Sequence, residues 1–262
     1  MTRGSAVVLM YHRIGSGPLP GREPREDIYA VAREAFTAQI ELLADRACPV
    51  VTFDAVAGAA LGRSVLPARA VALTFDDGNA TDYSDVAPVL ARHGYRAAFF
   101  VSPARIGTSG YLTWPEVRAL HAAGMTIGAH GFDHTLLPAL SDRDLRWQLV
   151  EARREIAAHL GAPARYLALP GGAGDARVLA AAAEAGYEVV AGSAQARLRA
   201  GRVTAVIPRF AIRHDESLPR FDALVRHVRL MLVRRSLRYH AVRSERGARA
   251  ALAAWRRRRQ RS

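Results

Sequence analysis

The sequence predicts an α/β barrel, and two observations support this fold class. Short apolar runs recur along the chain, and each is followed by a small or polar cluster and then by a helical pattern. The runs are continuous rather than alternating, which is typical of parallel strands buried on both faces. The predicted strands are Val7–Met10, Ala70–Phe75, Ala97–Val101, Thr126–Ala129, Tyr166–Leu169, Val189–Ala191 and Thr204–Pro208, with Val50–Phe53 as a weaker eighth candidate. Seven or eight units in about 215 residues favour a closed barrel, with an open doubly wound sheet as the alternative.

Helical patterns lie between the predicted strands, and their ends carry capping residues. Pro115 suits the first turn of one helix, which ends near Gly124. Ser141 is the expected N-cap of the longest helix, which runs to about Leu160 before Gly161. The remaining helices are predicted around Phe36–Leu43, Val86–Leu90 and Asp175–Gly186.

The composition limits the class of protein. The chain has 262 residues, of which 50% are hydrophobic and 23% charged, so it can bury a large core and is not a disordered chain. Cys48 is the single cysteine, which excludes an internal disulfide and a four-cysteine zinc site. No apolar run reaches the roughly 18 residues of a membrane span, and the first residues make a poor signal peptide. We therefore expect a cytoplasmic protein.

The positive charge of the chain is concentrated at one end. The net charge is +13, and residues 226–262 account for +12, with 13 arginines and the single acid Glu245. The rest of the chain is nearly neutral. We therefore divide the chain into a globular domain, 1–225, and an arginine-rich amphipathic C-terminal extension, 226–262.

The extension allows three interpretations. An amphipathic helical pattern begins at Phe221 and continues into the extension. Its apolar side, formed by Leu224, Val228, Met231 and Leu232, either closes the barrel or lies on an anionic membrane surface with Trp255 at the interface. The membrane alternative would place the protein at the inner face of the cytoplasmic membrane. Nucleic-acid binding is not expected, because no groove-reading motif or interleaved aromatic residue accompanies the arginines.

The residues suited to chemistry directly follow the predicted strands. In a parallel barrel the carboxyl ends of the strands meet at one mouth, where side chains from different strands converge. These clusters are Tyr11–His12, Asp76–Gly78, His130–His134, Pro170–Gly172 and Arg209.

Two of these clusters predict a catalytic metal site. His130 and His134 are four residues apart, a spacing at which both imidazoles reach one ion. Asp76 and Asp77 are adjacent and reach one site only if the strand ends there, and Gly78 supplies a turn. One carboxylate can then bind the metal while the other accepts a proton. Two histidines and one carboxylate leave coordination positions open, as a catalytic metal requires.

The motifs resemble those of the NodB-homology polysaccharide deacetylases, carbohydrate esterase family 4. Thr74-Phe-Asp-Asp-Gly78 matches the first family motif, and His130-Gly-Phe-Asp-His134 matches the His-Ser/Thr-x-x-His motif except at Gly131. Segments around Ala97–Val101, Leu112–Trp114, Gly124–Gly128 and Leu169–Gly172 are also similar to the family. The resemblance covers roughly residues 5–225.

The resemblance implies a distorted (β/α)₇ barrel that removes N-acetyl or O-acetyl groups from glycans. By position, it implies that Asp76 is the general base and that Asp77, His130 and His134 bind a divalent metal, usually zinc, with other divalent ions as alternatives. The substrate is then an acetylated bacterial polysaccharide or a glycan precursor.

The sequence departs from the family pattern at three places. Gly131 replaces a hydroxyl residue, and Gly171 stands where an aromatic residue is common, although Pro170 and Gly171 can still help to bind an oxyanion. No C-terminal Leu-x-His motif supplies a general acid. The opening Val8–His12 resembles the branch of poly-N-acetylglucosamine deacetylases, in which this strand carries the acid, so His12 is the candidate, with His214 as the alternative.

Two further interpretations remain open at this stage. Arg209 follows a strand near the two aspartates. It either orients Asp76 through a charge-assisted pair, as part of the substrate- and oxyanion-binding site, or is an ordinary surface arginine. The glycines at 131 and 171 also suit a catalytically silent glycan-binding or scaffold module on the same barrel. The retention of Asp76, Asp77, His130 and His134 together favours the enzyme.

Overall fold

The computed structural model describes residues 4–15, 28–199, 201, 203–237 and 239. In this part of the chain the strands are β1 (Ser5–Tyr11), β2 (Ala70–Asp77), β3 (Ala97–Val101), β4 (Thr126–Ala129), β5 (Tyr166–Ala168), β6 (Val189–Ala191), β7 (Leu198–Arg199), β8 (Val206–Ile207) and β9 (Phe210–Ala211). The α-helices are α1 (Arg33–Asp45), α2 (Phe53–Ala60), α3 (Ala87–Arg92), α4 (Trp114–Ala122), α5 (Asp142–Leu160), α6 (Ala176–Glu184) and α7 (Leu218–Val225).

The sheet is the nearly closed barrel that the sequence predicts. Parallel pairing joins β1 to β6 in sequence order, and β8 pairs with β6 in the same direction. The chain then crosses directly from β8 to β9, which pairs parallel with β1. The predicted strand Thr204–Pro208 therefore corresponds to the short strand β8. Together, β8 and β9 connect β6 at one edge of the sheet to β1 at the other. The short β7 adds an antiparallel partner on β1.

Alternation along β2 determines which side chains face the barrel interior. Val71, Leu73 and Phe75 pack outward against the helices, in the larger of two buried apolar clusters. Ala70 and Ala72 belong to the smaller cluster in the barrel interior, and continuing the alternation puts Thr74 and Asp76 on the same side. Small alanines leave room in the interior for the polar groups at the end of the strand.

The amino-terminal end of the barrel is filled by aromatic side chains. Phe53, at the start of α2, packs edge-on against Phe100 and Tyr166, with ring centroids 5.4 and 5.2 Å apart. The predicted strand Val50–Phe53 is wrong, because Val50 makes only one bridge to Val71 and Thr52 caps α2 instead. The opposite end, where the parallel strands terminate, remains available for the polar side chains.

The other helices follow the predicted pattern. Ser141 caps α5 by accepting a hydrogen bond from the Asp144 N–H, and Gly161 ends the helix with a left-handed conformation. Pro115 lies in the first turn of α4. The pattern around Val86 begins with a π-helical turn, Asp82–Val86, before α3.

The C-terminal pattern is not the single amphipathic helix that the periodicity predicts. α7 ends at Val225, His227 adopts a positive φ of 58°, and a second helix covers 229–237. Leu224 and Leu232 are buried in the larger apolar cluster, so much of the predicted apolar side packs against the domain. The remainder of the extension, including Trp255, lies outside the described residues. Within those residues, no helix combines the length and apolar character that a membrane crossing requires.

Candidate active site

Three side chains form a group suited to one metal ion at the carboxyl end of the barrel. The ligand atoms of Asp77, His130 and His134 all lie within 4.8 Å of one another. Oδ1 of Asp77 is 3.5 Å from Nε2 of His130 and 3.1 Å from Nε2 of His134. Two imidazoles and one carboxylate leave coordination positions for water or substrate, which is the donor set of a catalytic zinc site. The residues present therefore fit a divalent cation.

The backbone of β2 explains how two adjacent aspartates serve one site. Asp76 continues the inward-facing row of the strand, whereas Asp77 has a φ of 81° and is followed by Gly78 at 73°. A non-glycine residue in this region is strained, and such strain is concentrated at functional sites. The turn therefore begins one residue earlier than the Gly78 position that the sequence suggests.

Hydrogen bonds to Gln148 of α5 and to Ser102 stabilise the loop that carries both histidines. Oε1 of the buried Gln148 accepts hydrogen bonds from the N–H groups of Phe132 and Asp133, at 2.8 and 3.3 Å. The hydroxyl of Ser102, at the end of β3, donates to the carbonyl of His130 at 2.8 Å. These bonds fix the loop between the two histidines.

His130 is prepared as a metal ligand. Its Nδ1 is 2.9 Å from the carbonyl oxygen of Ala168 on β5, so Nδ1 carries the proton and Nε2 is left as the donor to a metal. The ring is almost completely buried, and burial lowers the pKa of His130 to about 4. The imidazole is therefore neutral at pH 7, as metal binding requires.

Asp77 is ionised in this environment. Burial opposes ionisation, but the hydrogen bond from His134 and the nearby His12 and His130 outweigh it and hold the pKa of the Asp77 carboxyl well below its usual range. A guanidinium nitrogen of Arg105 lies 3.6 Å from Oδ1. The carboxylate is thus available as an anionic ligand.

Arg209 is bound to Asp76 inside the barrel. Its two terminal nitrogens donate to the two carboxylate oxygens at 2.6 and 2.7 Å, and its Nε donates to the carbonyl of Gly192 at 2.9 Å. The side chain is fully buried, and its guanidinium lies over the Phe100 ring. The structure therefore places Arg209 behind Asp76, where it contacts the carboxylate rather than an incoming substrate.

Asp76 is an ionised carboxylate at the bottom of a cavity. Burial raises its pKa, but the charge of Arg209 and the hydrogen bonds from its guanidinium more than compensate, so that the pKa of Asp76 lies below its usual value. The cavity has a volume of about 560 Å³ and is also lined by His12, His130 and Gly171. The predicted convergence of clusters from β1, β2, β4 and β5 at one mouth is therefore observed.

The two candidate acids occupy different positions. His12 lines the cavity, and its ring stacks on Tyr29 with centroids 4.5 Å apart. His214 is exposed in the turn after β9, and its backbone N–H donates to the carbonyl of Ile28. The geometry therefore favours His12 over His214 for contact with a bound substrate.

Backbone geometry explains both glycines that depart from the family pattern. Gly131 and Gly171 have φ values of 69° and 61°, a region that favours glycine. A Cβ on Gly131 would lie 3.3 Å from Cγ of the buried Pro170, and a Cβ on Gly171 would lie 2.7 Å from Cδ2 of Leu136. The positive φ therefore favours glycine at both positions, and the two glycines do not indicate a degenerate site.

Comparison with known proteins identifies the domain. The polysaccharide deacetylase family model matches residues 63–190, which include Asp76, Asp77 and both histidines. The chain contains a polysaccharide deacetylase domain. The predicted family resemblance is therefore confirmed.

Sequence relatives and solved structures agree with the domain assignment. The chain is 26% identical to YxkH of Bacillus subtilis over 183 residues, which cover 70% of this chain and 62% of that protein. It is 36% identical over 130 residues to a chitooligosaccharide deacetylase of Sinorhizobium fredii, covering 49% and 59% of the two chains. This chain thus spans less than two-thirds of the length of these relatives.

Two solved structures share the fold of the polysaccharide deacetylase domain. The deacetylase PplD of Streptococcus pyogenes, solved in complex with acetate, has a TM-score of 0.72 at 23% identity and covers 82% of this chain and 96% of its own. IcaB of Ammonifex degensii has a TM-score of 0.71 at 22% identity and covers 86% and 97%. At this level of sequence identity, the structural similarity establishes that this chain has the distorted barrel fold.

Sequence reasoning missed several residues that support the site of the deacetylase domain. Gln148 is the clearest, because it is a polar residue on the buried side of α5, among Leu145, Leu149 and Ala152. A polar residue on an apolar helix face is a signal that could have identified it. Ser102 and Tyr29 carry no such signal, because their roles depend on contacts between distant segments.

Proposed function

We propose that the protein is a metal-dependent hydrolase that removes N-acetyl groups from a bacterial polysaccharide or glycan precursor. The observation that carries the proposal is the group Asp77, His130 and His134, whose member His130 lines the same cavity as a second ionised carboxylate, Asp76. One carboxylate can bind the ion while the other handles a proton. This division of roles matches the chemistry of amide hydrolysis.

Asp77, His130 and His134 would hold the ion. A divalent cation supplies Lewis-acid polarisation of the acyl oxygen and lowers the pKa of water. Zinc suits this donor set best, and other divalent ions are alternatives.

The other residues of the site would carry the proton transfers. Asp76 accepts a proton from the attacking water as the carbon–oxygen bond forms. The backbone N–H of Gly171, next to Pro170, stabilises the negative charge on the acyl oxygen. His12 donates a proton to the sugar nitrogen as the carbon–nitrogen bond breaks, which yields acetate and a free amine. Arg209 acts through Asp76 as a positioning residue.

The test is acetate release from an N-acetylglucosamine oligomer. The metal-loaded protein should release acetate, a chelator should stop the release, and added metal should restore it. Asp76→Asn should lower the rate about 10²–10⁴-fold, the range for loss of a general base, while the protein keeps its metal. Unchanged acetate release by this variant would refute the assignment of Asp76. A catalytically silent glycan-binding module predicts no acetate release at all.

We further propose that the protein works in the cytoplasm, with the arginine-rich residues beyond 237 in contact with an anionic membrane surface. Because Leu224 and Leu232 are buried, this contact depends on charge and on Trp255 rather than on the predicted apolar side. Anionic vesicles should sediment the full chain at low salt and release it as salt screens the arginines. A chain ending at Ser244 lacks seven of the 13 arginines of the extension and should bind more weakly. Equal binding by both chains would contradict this proposal.

A further inference from the structure

One part of the wall of the cavity that contains Asp76 is rich in arginine. Arg213 and Arg220 contribute from the segment after β9 and from α7, and Arg234 and Arg235 contribute from the helix at 229–237. This part of the arginine-rich segment therefore belongs to the wall of the active-site cavity. The helix break at His227, with its positive φ, precedes the second helix, and Arg234 and Arg235 of that helix line the cavity.

Only part of this positive charge is neutralised by the protein. Arg235 is nearly buried and donates to Glu216 at 2.8 Å and to Gln195 at 2.9 Å, so it is committed to the protein itself. Asp215 is the other acidic residue of this part of the wall, which also contains Arg213, Arg220 and Arg234. The wall made by the two segments therefore carries a net charge of +2.

The guanidinium of Arg213 lacks a complete set of partners. Its Nε is buried and has no hydrogen-bond partner within the described part of the chain. A buried charged donor without a partner is costly, and an anionic ligand in the cavity would satisfy it. Arg220 and Arg234 are exposed at the same cavity. Three guanidinium groups thus surround a space that adjoins the catalytic groups.

We propose that the acetylated sugar carries a phosphate or diphosphate ester, which Arg213, Arg220 and Arg234 bind while the acetyl group faces Asp76 and the metal ligands. The inference rests on the proposed deacetylase function and names its substrate class. A neutral glycan offers these arginines hydroxyl oxygens but no negative charge to balance theirs. A phosphate offers several anionic oxygens, whose geometry matches more than one planar guanidinium.

A phosphate or diphosphate ester of this kind is found in both soluble and lipid-linked sugars. A sugar 1-phosphate, a nucleoside diphosphate sugar and a polyprenyl diphosphate sugar all place phosphate next to the sugar ring. The arginine wall recognises this shared group. A comparison of the three substrates determines which source the enzyme uses.

The kinetic test compares matched substrates that differ in the phosphate. In phosphate-free buffer, KM for acetate release should be at least tenfold lower for N-acetylglucosamine 1-phosphate than for neutral methyl N-acetylglucosaminide. This advantage should shrink with added salt. The corresponding uridine diphosphate sugar and a short-chain polyprenyl diphosphate sugar in detergent form the other two arms. Equal KM values for the neutral sugar and all three phosphorylated sugars would overturn the inference.

Two variants on the second helix provide a matched pair. Arg234→Gln should raise KM for the phosphorylated sugar about tenfold, the size expected for one charge-assisted contact, and leave KM for the neutral sugar unchanged. Arg229→Gln removes an exposed arginine of the same helix that lies outside the cavity wall, and it should change neither KM. An Arg234→Gln variant with unaltered KM for all phosphorylated sugars would overturn the inference, since both side chains are exposed and folding is preserved.

A binding measurement separates this inference from the proposed function. Titration calorimetry of N-acetylglucosamine 1-phosphate into the chelator-treated protein should detect binding that Arg234→Gln weakens about tenfold. If this binding occurs but no sugar releases acetate, the deacetylase proposal fails and the anionic site stands. If the neutral sugar is deacetylated and the phosphorylated sugar binds no better than it, the anionic site is refuted and the deacetylase stands.

Discussion

Arg209 and Asp76 form a bidentate ion pair in the interior of the barrel, with both side chains shielded from solvent. The two nitrogen–oxygen distances are 2.6 and 2.7 Å. Because Arg209 lies between β8 and β9 and Asp76 is the penultimate residue of β2, the pair joins the segment that closes the barrel to β2. One interaction therefore links the stability of the barrel to the ionisation of the proposed general base.

Removal of Arg209 should affect both stability and the pH dependence of activity. Arg209→Gln leaves a buried carboxylate without its counter-ion, and we expect a loss of roughly 3–5 kcal/mol in the free energy of unfolding. Without the guanidinium the pKa of Asp76 rises, so the acidic limb of the kcat/KM profile should move to higher pH. Urea denaturation and a pH–rate profile measure the two effects.

Arg165→Gln is the matched control, since Arg165 pairs with Asp54 and Glu188 in a half-exposed network. Its loss should cost no more than about 1 kcal/mol and leave the pH profile unchanged. An Arg209→Gln variant with the wild-type acidic limb would show that Arg209 does not act through Asp76.

Gln148 should control metal affinity without touching the metal. Gln148→Leu removes the acceptor for two N–H groups in the loop between the histidines, and we expect divalent-metal affinity to fall about 10–100-fold. Gln148→Glu keeps an acceptor oxygen and should retain more of the affinity. Competition with a chromogenic chelator gives both values. Equal affinities for wild type and Gln148→Leu would mean that the loop is held by other contacts.

His227 should make stability fall in mild acid. Burial lowers the pKa of His227 to about 4, whereas a histidine in the unfolded chain titrates near 6.5. Between these values the unfolded state binds the additional proton, so the free energy of unfolding decreases as pH falls, by up to about 1.4 kcal/mol per pH unit. His227→Asn, which tolerates the positive φ, should reduce that slope.

The comparison requires chelator-treated protein, because metal release adds its own pH dependence. Denaturation at pH 7, 6 and 5 gives the slope for each protein, and His121→Asn, at an exposed position of α4, serves as the control. Identical slopes for wild type and His227→Asn would show that His227 is not protected from protonation in the folded state.

The parallel strands and the residues of the candidate metal site were predictable because each depends on local sequence. Continuous apolar runs identify the strands of a buried parallel sheet, and the motifs at 74–78 and 130–134 follow directly at their ends. The interior position of Arg209 was only partly predictable. Its proximity to the aspartates follows from strand order, but its pairing depends on how β8 and β9 close the barrel.

The C-terminal prediction failed for a physical reason. The spacing of apolar residues from Phe221 to Leu232 suits one continuous helix, but α7 ends at Val225, His227 adopts a positive φ and a second helix begins at 229. Periodicity reports which residues are apolar and cannot detect a break that tertiary packing imposes. Tertiary packing also determines where the arginines lie. The sequence shows their positive charge, but it does not show that Arg213, Arg220, Arg234 and Arg235 line the cavity.

The metal content of the protein tests the central claim most directly. Protein loaded with zinc and passed through a desalting column should retain about one equivalent of metal. His134→Ala should retain far less, while Arg118→Gln, at an exposed position outside the site, should behave as wild type. Retention of less than about half an equivalent by the wild-type protein, or equal retention by His134→Ala, would contradict the assignment of Asp77, His130 and His134 as a metal centre.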